Sequence, residues 1–99
     1  MLDQLTHHDF ANHLDTTFTV AIGGTKTQNW RLIEAKDVRS DGGTARRQAF
    51  SLLFSGPGRS PVPQGVYKLK HPKMKNMEIL VCPIIEEGGK RMHYEAVFN

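Results

Sequence analysis

The sequence predicts a mainly β domain: a small antiparallel six-stranded barrel or sandwich with one short N-terminal helix. Three observations carry that expectation. The strongest apolar run in the middle of the chain, within Gln48 to Pro57, sets Phe50, Leu52 and Phe54 against Ser51, Leu53 and Ser55, the period of two that marks a strand. Other apolar runs of strand length flank it, separated by Gly, Asp and Pro signals roughly every 10 to 15 residues. Only residues 6–14 carry helical spacing. Ninety-nine residues fit a single domain, 1–99, which can remove about two thirds of its unfolded surface from water.

The helix is expected over residues 6–14. Thr6 is a good N-cap, Asp9 sits near the positive end of the helix dipole, and Phe10 and Leu14 lie four apart on one face. Asp15-Thr16-Thr17 breaks the pattern. Phe18 to Ile22 alternates large and small residues as a first strand, closed by the turn signal Gly23-Gly24. After the polar stretch Thr25 to Asn29, a second strand runs from Trp30 to Val38 with Trp30 and Leu32 inward. Asp41-Gly42-Gly43 then supplies the positive φ values of a tight hairpin leading into the third strand, Phe50 to Phe54.

Pro57, Pro61 and Pro63 make Gly56 to Gly65 a semi-rigid exposed loop, because proline fixes φ and gives no ladder donor. Val66 to Lys70 is a fourth strand, Tyr67 and Leu69 inward and Lys68 and Lys70 outward, ended by His71-Pro72. Lys73 to Asn76 reads as a turn. Met77 to Ile85 is almost continuously apolar, as in a strand buried on both faces, with Pro83 marking a bulge or exit. Glu86 to Lys90 turns the chain into the last strand, where Met92, Tyr94, Ala96 and Phe98 alternate with His93, Glu95 and Val97.

Composition bounds the function classes. A hydrophobic fraction of 38% and a charged fraction of 23% belong to a folded globular chain rather than a disordered one. Thirteen basic against ten acidic residues, net +3, is too mild an excess to mark a nucleic-acid binder by itself. The single cysteine, Cys82, between Val81 and Pro83, reads as a buried thiol and excludes an internal disulfide. No stretch approaches the roughly 18 apolar residues of a membrane-spanning helix, and the first residues lack the basic and apolar segments of a signal peptide. A cytoplasmic protein without a membrane partner is expected.

The chemistry-bearing residues are few. His7, His8, Asp9 and His13 form the one metal-like cluster, Asp9 and His13 being four apart on a helix face with His71 or His93 as a third ligand; a zinc site needs three or four ligands, so no metal and no cofactor are assigned. Gly23-Gly24-Thr25-Lys26-Thr27 lacks the Gly-Lys-Ser/Thr order of a phosphate loop, and Ser51, Ser55 and Ser60 lack a nucleophile elbow. An enzyme is not expected.

The pieces Phe50-Ser51-Leu52-Leu53-Phe54-Ser55-Gly56-Pro57, Pro63 to Pro72, Val81-Cys82-Pro83-Ile84 and Tyr94-Glu95-Ala96-Val97-Phe98-Asn99 resemble a family of short uncharacterised bacterial proteins. Its members carry an F-x-L-L-F-x-G-P strand, a P-Q-G-x-Y-x-L-x-H-P segment and a Y-E-A-V-F-N ending. The chain departs from the family pattern at Lys75-Asn76 and at Leu80. The resemblance implies accessory proteins found near phage-tail-like and tail-collar genes, with no catalytic residue to carry over.

Two readings of function follow. In the first, the chain is a non-enzymatic accessory or adaptor that binds another protein. Its candidate interaction surface is Arg59, Val62 and Gln64 in the Pro-rich loop, Lys68 and Lys70 on the fourth strand, and Arg46 and Arg47 before the third. In the alternative, a basic stripe of Arg46, Arg47, Lys68, Lys70, Lys73, Lys75, Lys90 and Arg91 binds nucleic acid or another polyanion, Tyr67 or Trp30 stacking a base. An uncapped edge strand leaves a homo-oligomer open as well.

Overall fold

The computed structural model describes residues 7–37, 50–58, 61–84 and 92–98. A short helix, α1 (His7–Ala11), precedes six strands: β1 (Thr17–Gly23), β2 (Lys26–Asp37), β3 (Phe50–Gly56), β4 (Gly65–His71), β5 (Met74–Ile84) and β6 (Met92–Phe98). They close into an antiparallel barrel in the order β1-β2-β3-β6-β5-β4. Of the two architectures the sequence allowed, the barrel is the one formed. Closure pairs the sheet with itself and removes the edges that a sandwich would have to protect.

Inward alternation builds the core. Phe50, Leu52 and Phe54 of β3 are buried, as are Phe18 and Val20, Trp30 and Leu32, Leu69, Met77, Ile79 and Val81, and Met92, Tyr94 and Ala96. Their rings form a connected series: Tyr94 lies flat on Trp30 (centroids 4.0 Å, 4°), Trp30 leans on Phe54 (6.0 Å), Phe54 meets Phe18 edge-on (5.5 Å, 81°), and Phe18 reaches Phe10 of α1 (6.5 Å). Side chains thus fill this small barrel along its length.

Several local expectations change. The helix is shorter than 6–14. Residues 12–15 form a turn in which the His13 N–H donates to Phe10 O (2.9 Å) and Asp15 takes φ 65°, a left-handed conformation that aspartate tolerates better than most residues. Leaving the helix rotates Leu14 off the Phe10 face, and it is 41% exposed while Phe10 is 0%. The first hairpin is tight: Gly23 pairs with Lys26, with Gly23 and Gly24 both at positive φ, so the polar stretch 26–29 is strand rather than loop. The β4–β5 connection is equally short, His71 pairing with Met74, so Lys73 to Asn76 is not a four-residue turn.

The mixed pattern of β2 has a specific cause. Its register with β3 shifts between Leu32 and Glu34, a bulge that moves the inward phase from Trp30 and Leu32 to Ala35, opposite Leu52. β5 is buried on one face only: Met77, Ile79 and Val81 point in, while Glu78 and Leu80 are exposed. A closed barrel has one dry side, so a continuous apolar run does not make a two-sided strand here. Pro83 lies beyond the last β4 partner, Gly65 opposite Val81, where β5 passes to β6 through Cys82–Glu95 and Pro83–Tyr94 pairs. Cys82 is half-buried rather than buried, and Ser55, expected among the outward residues, is buried.

Candidate functional site

Three surfaces gather chemistry-bearing residues: the segment Pro61 to Gln64, the outside of the β4–β5 hairpin, and the turn linking α1 to β1. The first is a strap. The Val62 N–H donates to the Tyr94 hydroxyl (3.1 Å), the Tyr67 hydroxyl donates to Pro63 O, and Val62 packs half-buried against the core. Burial, with a smaller contribution from Tyr94, holds the Tyr67 hydroxyl pKa above its usual value. Tyr94 thereby serves two ends, its ring stacked on Trp30 and its oxygen fixing the strap. Tyr94→Phe leaves the Val62 N–H without that acceptor and is expected to cost about 1–2 kcal/mol. Urea unfolding checks this as a lower midpoint at constant m, and a midpoint equal to the parent's would show that water replaces the hydroxyl.

The proposed loop tip divides accordingly. Val62 belongs to the strap's buried side, Gln64 is exposed, and Arg59 lies outside the described residues. Arg46 and Arg47 also lie outside them, as does the Asp41-Gly42-Gly43 turn.

The outside of the β4–β5 hairpin is built by register. Lys68 stands opposite Glu78 and Val66 opposite Leu80. Lys68 Nζ is 4.0 Å from Glu78 Oε1, with both side chains largely in solvent, so the pair contributes little to stability. Lys70, Lys73 and Lys75 are also exposed, giving this hairpin four solvent-facing lysines. Val66 and Leu80, 65% and 52% exposed, form an apolar cross-strand pair beside them. Val97 of β6 is exposed as well. Val66 was legible as an outward residue because it shares the phase of Lys68 and Lys70. Leu80 was hidden by the two-sided reading of β5.

The aromatic residues offered for base stacking are placed otherwise. Trp30 is fully buried, its Nε1–H donating to Gln28 Oε1 (2.9 Å), and Tyr67 is half-buried with its hydroxyl on the strap. Trp30 therefore cannot stack a base from solvent.

The third surface brings His13 and His71 together across 58 residues of sequence. Their ring centroids are 4.8 Å apart, and His71 also lies against Phe18 (4.6 Å). His71 Nε2 is 2.9 Å from Thr16 Oγ1, and its Nδ1 accepts from the Lys73 backbone N–H (3.0 Å). Thr16 Oγ1 in turn donates to His13 O. Burial first, then the positive charge of His13 and Lys73, holds the His71 pKa below its ordinary value. His8 is exposed, and among the described residues no group of three or more His, Cys, Asp or Glu is placed to hold a metal ion. Nor, among them, is any helix long and apolar enough to cross a membrane.

Neither the curated proteins nor the solved structures yield a match to this chain. A family model does, over residues 5–98, and with nearly the whole sequence inside it the chain belongs to the family described as Domain of unknown function (DUF6916).

Proposed function

We propose that the chain is a non-enzymatic adaptor that binds a protein partner through the outside of its β4–β5 hairpin. One observation carries this reading: the solvent-facing Val66–Leu80 pair, next to the exposed Lys68–Glu78 pair on a hairpin that also carries the exposed Lys70, Lys73 and Lys75. Aromatic rings occupy the barrel interior, so recognition falls to the outer surface. An apolar centre with a charged rim is the usual anatomy of a protein-binding patch, and the lysines select a partner whose own rim is acidic. The association with phage-tail-like genes implied by the family resemblance suggests a larger assembly as the setting, with the chain an accessory component in the cytoplasm.

The gathering of four lysines on one hairpin also favours the polyanion reading, though without Trp30 as a stacking platform. One experiment separates the two. Val66→Thr/Leu80→Thr keeps β-branched or strand-compatible side chains at exposed sites, so the unfolding midpoint should stay within about 0.5 kcal/mol of the parent. Capture of partner proteins from native cells should nevertheless fall at least about tenfold, a loss of about 1.4 kcal/mol in binding. Capture unchanged by the double substitution, together with heparin retention that falls steeply with salt, would replace the protein-binding reading with the polyanion one.

A further inference from the structure

We propose that His71 is a proton-operated latch: neutral, it holds the α1–β1 turn and its helix over the barrel mouth, and protonated, it releases them. The hydrogen bonds carry the inference. A backbone N–H can only donate, so the Lys73 N–H on His71 Nδ1 requires that nitrogen to be an unprotonated acceptor. The ring is therefore the neutral Nε2–H tautomer, donating to Thr16 Oγ1, while the Thr16 hydroxyl hydrogen goes to His13 O. Donor and acceptor roles are used up in one consistent direction along Lys73, His71, Thr16 and His13.

Adding a proton to Nδ1 sets two N–H groups against each other and places a charge on the ring of a buried residue packed on Phe18. The groups bearing on that charge are His13 from the α1–β1 turn and Lys73 from the β4–β5 turn, and both oppose it. Asp15, the acid of the same turn, faces solvent. Relief comes from moving the 12–16 turn. That turn is joined to the barrel by two backbone bonds, Asp15 N–H to Leu32 O (2.7 Å) and Leu32 N–H to Thr16 O (3.0 Å). It also carries α1, whose Phe10 rests on Phe18, Phe50 and Phe98. Release of the turn would uncover the aromatic mouth lined by Phe10, Phe18, Phe50 and Phe98.

The sign of the effect is fixed by the lowered pKa. The latch contributes in full above the ordinary histidine value of 6.5. As pH falls below it the unfolded or released chain takes up a proton before the closed one does, and the stabilisation is lost.

Amide exchange by NMR on the whole chain tests this. Going from about pH 7.5 to about pH 5.5, and after correction for intrinsic exchange, protection at Asp15 and Leu32 should fall about tenfold more than at Leu52 and Phe54 of β3. The midpoint should coincide with titration of the His71 ring. His71→Asn keeps an acceptor near Lys73 N–H without a titrating ring, and should flatten the pH dependence. If that variant does not fold, the wild-type ring titration alone decides. A His71 ring that titrates while Asp15 and Leu32 keep their protection overturns the latch, as does a uniform loss of protection across β2 and β3.

Discussion

Gly56→Ala is expected to lower stability by about 2–3 kcal/mol, far more than a methyl group costs at an ordinary strand position. A Cβ at residue 56 would lie 2.8 Å from Tyr94 Cε2 and 3.0 Å from both Cδ1 and Nε1 of Trp30. Neither ring can yield easily. Trp30 and Tyr94 are stacked at 4.0 Å, both fully buried, and each is anchored at its polar end, by Gln28 and by the Val62 N–H respectively. The glycine is required here for lack of bulk, since its backbone is ordinary strand. Denaturant unfolding gives the magnitude, and near-ultraviolet circular dichroism reports whether the Trp30–Tyr94 stack is broken. A variant with the parent's midpoint and spectrum would mean that the strap and the rings move apart freely, against the packing described.

Phe10→Ala is expected to be costlier still, about 3–5 kcal/mol, although it sits on a helix of only five residues. Such a helix has no stability of its own. Beside the bonds of the turn that follows, what holds it is the Phe10 ring, 5.7 Å from both Phe50 and Phe98 and 6.5 Å from Phe18, with no exposed surface. Removing the ring opens the barrel end that β3 enters and β6 leaves. Leu14→Ala, at the other member of the pair predicted to share a helix face, should change stability by no more than about 0.5 kcal/mol. Equal losses at the two positions would restore the longer amphipathic helix. The same comparison, monitored by exchange at Asp15 and Leu32, tells whether α1 and its turn leave the barrel as a unit.

The contrast between Phe10 and Leu14 shows where sequence reading stops. Spacing of four residues is evidence for a shared face only while the helix lasts, and Asp15 at φ 65° with the turn before it ends the helix early. The β2 bulge is a second case. One extra residue between Leu32 and Glu34 inverts which alternate positions face the core, and period-two patterning carries no marker for it. β5 is a third: its outward Leu80 and half-buried Cys82 are as apolar as its core residues, so hydrophobicity alone suggested two dry faces. Within the candidate site, Lys68 and Lys70 were legible from alternation. Their grouping with Lys73 and Lys75 beside Val66 and Leu80 required the β4–β5 register.

The sequence by itself determined the class of fold, the presence and order of the six strands and the inward residues Phe50, Leu52, Phe54, Trp30 and Leu32, because side-chain alternation and turn chemistry are local properties of the chain. Closure into a barrel was decided only in three dimensions, by β1 meeting β4 and β3 meeting β6. So were the seat of Gly56 beneath two rings and the joining of His13 and His71. Each of these depends on which distant strands become neighbours, and register between distant strands is a property of the packed core that a local pattern does not encode.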